Sequence, residues 1–63
     1  MKTLIEKNWY WVNWKHLRYQ HREYAQYMYF SHGKYHFQFG NGDWIPAVRY
    51  KIKSEHEVNI WLW

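Results

Sequence analysis

Between Tyr24 and Lys53 the chain alternates large apolar with polar side chains, and two glycine-bearing turns interrupt the alternation. The turns are Ser31-His32-Gly33-Lys34 and Gly40-Asn41-Gly42-Asp43. Side chains that alternate with period two lie on opposite faces of a pleated strand, and glycine accepts the positive φ of a tight hairpin turn. Together these features confine this stretch to a β-meander.

The register follows from the turns. With His32-Gly33 as a two-residue loop, Phe30 is expected opposite Tyr35, Met28 opposite Phe37, Tyr29 across from His36 and Tyr27 across from Gln38. Met28, Phe30, Tyr35, Phe37 and Phe39 then share one face. The second turn is expected to set Phe39 opposite Trp44 and Tyr35 opposite Val48, which brings Val48, Tyr50 and Ile52 onto that face. Pro46 has no N–H to donate and predicts a bulge or a strand start nearby. After a turn at Ser54-Glu55-His56, the residues Val58, Ile60 and Leu62 alternate in the same phase.

The fold expected is all-β: a small antiparallel meander of four to five strands in a single domain spanning 1–63, able to curl into a barrel with the N-terminal strand. Residues 3–20 leave two readings open. The aromatic and β-branched side chains of 9–18 favour a strand. A helix would instead line up Ile5, Trp9, Val12 and His16 and lie over the sheet, giving an α+β fold. Residues 19–23 are polar and read as a connection.

A chain of 63 residues has little capacity to bury a core. It contains no cysteine, so neither disulfides nor thiolate–zinc sites hold it together. Its apolar mass is instead aromatic, with six Trp, seven Tyr and three Phe. At about 150–250 Å² each, these rings exceed what so small an interior can hide, so some belong on the surface.

By the same register, the second face of the sheet carries Tyr27, Tyr29, Lys34, His36, Gln38, Arg49, Lys51, Lys53, Asn59, Trp61 and Trp63. Arg49 falls opposite Trp61, within reach of a cation–π contact. Lys34 is expected to face Arg49 as a like-charge pair. Three uses of this face are open: a second core layer under residues 9–17, an interface between copies of the chain, or a binding surface. Tyr, Trp and Arg are the residue types enriched at the energetic centres of protein interfaces. Aromatics beside basic groups also form the platforms that bind single-stranded nucleic acid.

Catalytic and metal chemistry find little support. The five histidines lack the convergent spacing of a zinc site. Glu55-His56-Glu57 places a base between two acids, but adjacent strand residues point to opposite faces. A general acid–base ribonuclease built from His36, Arg49 and a carboxylate is a conceivable combination, and no motif specifies it. No cofactor is expected. No apolar run reaches the length of a membrane span, and Glu6 interrupts the N-terminal stretch where a secretory signal would be apolar, so the expected location is the cytoplasm.

These features lead to the expectation of a non-enzymatic accessory protein, of the size common in phages and mobile elements, that occludes a larger protein as an inhibitor or adaptor. Its partner-binding residues would be Tyr27, Tyr29, His36, Arg49, Lys51, Trp61 and Trp63. Single-stranded nucleic acid is the alternative partner, with Lys34, Lys51 and Lys53 on its backbone, and self-association into an oligomer is a further expectation. A net charge of +4 with five acids present favours the protein partner.

Overall fold

The computed structural model describes residues 3–62 as an all-β fold. Six strands form one mixed sheet: β1 (Trp9–His16), β2 (Tyr19–Ser31), β3 (Lys34–Phe39), β4 (Trp44–Ala47), β5 (Arg49–Ser54) and β6 (Glu57–Trp61). Their order across the sheet is β4-β3-β2-β1-β6-β5. All neighbours are antiparallel except β1 and β6, which pair in parallel. Residues 9–16 are therefore a central strand of the sheet, neither a helix nor a layer packed over its second face.

The topology turns on a single residue. Strands β4 and β5 lie at opposite edges of the sheet, yet only Val48 separates them in the chain. Ala47 is still registered with Tyr35 of β3, whereas Arg49 is already registered with Trp61 of β6. The Val48 N–H donates to the Trp61 carbonyl oxygen at 2.7 Å, which anchors the exchange of partners. A one-residue link between opposite edges requires the sheet to curl on itself, and the Tyr35 ring meets Tyr50 edge-on at 4.8 Å across the curl. The curled sheet stops short of a closed barrel, because its two edge strands do not pair with each other. Pro46 is accommodated because β4 is an edge strand, where a missing donor breaks no interior ladder.

The concave side holds the core. Val12, Phe37 and Val58 are fully buried, with Tyr10, Ala25, Tyr27, Phe39, Ala47 and Ile60 around them. Leu4, Tyr50, Ile52 and Leu62 pack against this cluster from its margins. The segment before β1 is tied down by Ile5 N–H donating to the Tyr10 hydroxyl at 3.0 Å and by Lys7 N–H donating to the Tyr27 carbonyl at 2.7 Å.

The glycine turns form as the sequence predicts. Ser31 pairs with Lys34, and both loop residues have positive φ, His32 at 54° and Gly33 at 77°, as a type I′ turn requires. Gly42 lies at φ 94° in the second turn, where Asn41 Oδ1 accepts from the Asp43 N–H at 3.0 Å. Phe30–Tyr35 and Tyr29–His36 are paired as expected.

Below Tyr29 the register departs from expectation. A bulge at Met28 pairs Phe37 with Tyr27 and Gln38 with Gln26. The extra residue reverses the facing of everything before it, so Tyr27 points into the core rather than outward. The β3–β4 pairing is also shifted by one, with Gln38 opposite Trp44, and it ends at Tyr35–Ala47. The expected Lys34–Arg49 and Tyr35–Val48 pairs therefore do not form.

Residues 19–23 are part of β2, and the connection from β1 is the two-residue loop Leu17-Arg18. Leu17 has φ 57°, as at the first loop position of a type II′ turn, where glycine is the usual residue. Left-handed backbone costs a side-chain-bearing residue about 1–2 kcal/mol. Leu17 is 82% exposed, so little burial offsets this cost. Leu17→Gly should accordingly raise stability by about 0.5–1 kcal/mol. Urea midpoints of the two proteins check this, and a fall in stability would show that the leucine side chain supports the turn.

Candidate functional site: the outer face of the sheet

The convex side of the sheet is open, and the rings that the interior cannot hold lie there. Trp9 and Trp11 leave β1 on the side opposite Tyr10 and Val12, and Tyr24 of β2 is registered with Trp11. Its ring stacks on Trp9 at 5.3 Å and 24° and lies tilted against Trp11 at 5.1 Å. All three remain substantially exposed, between 40% and 49%. The three form a contiguous aromatic strip on the two central strands.

Polar groups frame this strip. The Arg22 guanidinium lies over the Trp11 ring at 4.9 Å, and its Nε is 3.7 Å from a Glu57 carboxylate oxygen. The same oxygen, Oε2, accepts from Asn13 Nδ2 at 3.0 Å. That hydrogen bond, with the Lys53 and Arg22 charges nearby, holds the Glu57 carboxyl below its ordinary value. Arg22 is thus ion-paired with a carboxylate and lies over an indole.

A second aromatic group lies toward the β4 edge. Tyr29 stacks on His36 at 4.9 Å and 18°, and Trp44 meets Tyr29 edge-on at 6.2 Å. His36 Nε2 lies 3.3 Å from the Ser31 carbonyl oxygen. Toward the opposite edge, Arg49 sits over Trp61 at 4.7 Å, realising the cation–π pair read from the sequence. Lys51 and Lys53 follow Arg49 on β5, both exposed.

Of the residues singled out by sequence, Tyr29, His36, Arg49, Lys51 and Trp61 lie on the outer face, divided between its two ends. Tyr27 does not join them. It is 5% exposed, packs on Phe37 at 5.4 Å, and burial together with the Glu6 charge pushes its hydroxyl above its ordinary value. Trp63 lies outside the described residues. His36 and Arg49, the residues of the ribonuclease combination, lie against different rings, Tyr29 and Trp61. Among the described residues no three His, Asp or Glu side chains converge as a metal set would.

The strip of Trp9, Trp11 and Tyr24 does not follow from the glycine turns, because they leave the place of β1 in the sheet open. The alternation Trp-Tyr-Trp-Val-Asn-Trp at 9–14 carried the signal, since Tyr10 and Val12 in the core require Trp9 and Trp11 outside. Comparison of the chain with models of protein families, with curated proteins and with solved structures gives no match.

The carboxylate at the edge of the strip has a pH signature. A carboxyl held low when folded contributes stability that is fully present above its unfolded value near 4.5 and is lost as pH falls through the lower folded value. Glu57→Gln should therefore flatten the pH dependence of stability below about pH 4.5, relative to the unmodified chain. Urea titrations between neutral pH and pH 3 read this directly, and identical acid slopes would show that the Asn13–Glu57 bond is not maintained in solution.

Proposed function

We propose that this chain is a non-enzymatic binding protein that docks on a larger protein through the outer face of its sheet and acts by occlusion, as an inhibitor or adaptor inside the cell. The observation that carries this reading is the contiguous, exposed Trp9–Tyr24–Trp11 strip on the two central strands. Large aromatics and arginine supply most of the binding energy of protein interfaces, and they do so from the middle of the buried patch. An exposed apolar patch rimmed by polar groups is the usual mark of such a surface. Tyr29 and Trp44 at one end, and Arg49 and Trp61 at the other, extend the contact across the sheet.

The electrostatics of the strip favour protein over nucleic acid as its partner. Arg22, the cation beside it, is already met by Glu57, and a carboxylate there repels phosphate. A protein partner that buried the Arg22–Glu57 ion pair would receive it close to neutral, with the carboxylate already hydrogen-bonded to Asn13.

Affinity capture from lysate, with and without nuclease, tests the reading when the wild type is compared with Trp11→Ala. The captured protein should resist nuclease and moderate salt, and the variant, shown to be folded by its melting curve, should bind it about thirtyfold more weakly. Capture that nuclease abolishes and that Trp11→Ala also loses would assign the strip to nucleic acid. A solution mass that doubles in the wild type and not in Trp11→Ala would assign it to a second copy of this chain. Equal capture by both proteins would remove the strip from the interface.

A further inference from the structure

The parallel pairing of β1 with β6 is short. It runs from Trp11–Glu57 to Asn13–Asn59 and then ends, although both strands continue. Beyond that point β1 stays with β2, and β6 stays with β5. The sheet therefore forks, and between the two arms lies a groove of about 660 Å³. This is within the range of roughly 300–1,000 Å³ typical of small-molecule sites.

The walls of the fork have a consistent chemistry. On one arm the Trp14 and His21 rings stack at 4.2 Å and 16°, and Trp61 stands on the other. Trp14 also packs against the core, and its indole N–H is buried with no acceptor among the described residues. Lys15, Arg22 and Lys53 also line the groove; among the described residues no acidic side chain lines it, while Arg22 is ion-paired with Glu57. At its apex Asn13 and Asn59 offer carboxamides, with Glu57 behind Asn13 as the acceptor of its amide. The groove thus combines aromatic walls, an excess of positive charge and neutral hydrogen-bonding groups, in a space separate from the strip of Trp9, Trp11 and Tyr24.

We propose that the fork between β1 and β6 binds a nucleotide unit, with its base against the Trp14–His21 and Trp61 rings and its phosphate between Lys15 and Lys53. A planar base uses the rings as a stacking surface, and a phosphate matches the exposed cations Lys15 and Lys53. The carboxamides can pair with the polar edge of a base. A free nucleoside monophosphate and one residue of a single strand present the same base and phosphate.

Titration of the ¹⁵N-labelled chain, followed at the indole N–H signals of Trp14 and Trp61, tests the site. The probes are adenosine monophosphate and a short single-stranded oligonucleotide, with adenosine and inorganic phosphate as comparisons. Adenosine monophosphate or the oligonucleotide should move both signals saturably, and more tightly than either fragment does. The tighter of the two identifies the source of the nucleotide. Lys53→Glu and Lys15→Glu, at exposed positions, should each weaken binding by about fivefold or more. Lys34→Glu makes the same change of charge on β3, outside the groove, and should alter binding by less than about twofold. The proposal is overturned if neither nucleotide probe saturates, if inorganic phosphate alone reproduces the response, or if Lys34→Glu weakens binding as much as the groove variants do.

Discussion

The exchange of partners at Val48 is the constraint from which the remaining architecture follows. A strand that leaves one edge of a six-stranded sheet and one residue later joins the opposite edge leaves the sheet no flat or gently twisted form. The hydrogen bond from Val48 to Trp61 holds the corner, and the Tyr35–Tyr50 contact closes over it. Curling this tightly leaves a narrow interior. Alanine occupies two of its positions, at 25 and 47, and Val12, Phe37 and Val58 fill its centre. A wider space would have accepted more of the rings. In this one they are turned outward, so the exposed aromatic face is a consequence of how the sheet closes.

The outer surface divides by charge as well as by ring. At its centre, cation and anion are matched, Arg22 with Glu57, beside aromatics that offer apolar area. Along β5 the exposed cations Arg49, Lys51 and Lys53 follow one another, and Lys53 lines the fork with Lys15. A matched, aromatic centre suits the neutral, desolvated core of a protein interface, whereas an unmatched basic region suits anions. The two proposed activities thus centre on different parts of the same sheet and share Trp61 where they meet. Lys53 lies at a β-bulge, where β5 departs from regular pairing with β6 on the side of the groove.

Much of this fold is legible in the sequence, and what is not has identifiable causes. Gly33 and Gly42 mark their turns because the backbone there has positive φ. The phase of Val58 and Ile60 survives because no irregularity separates them. The Leu17-Arg18 turn has no such marker, since a leucine occupies the position that glycine usually takes. The bulge at Met28 is silent too, because Tyr27, Met28 and Tyr29 are all large and any of them suits a core. That one extra residue moved Tyr27 from the surface set into the interior. The choice of partner is harder still: nothing local to Ala47-Val48-Arg49 states that the strand changes neighbours, or that β1 pairs with a strand more than forty residues away. For the same reason the Trp9–Tyr24–Trp11 strip was hidden, while the Arg49–Trp61 pair, set by one hairpin, was not.

Amide hydrogen exchange at Val48 is the most direct test of the corner. The residue lies between two strands and is assigned to neither, so its protection reports on the exchange of partners alone. With its N–H bonded to Trp61, its amide should exchange on the slow timescale of Phe37 at the centre of the core, in keeping with opening only when the sheet as a whole unfolds. Exchange as fast as that of the exposed turn amides at Asn41 and Glu55 would contradict the account, because β4 and β5 would then be joined by an open linker and nothing would hold the sheet in its curl.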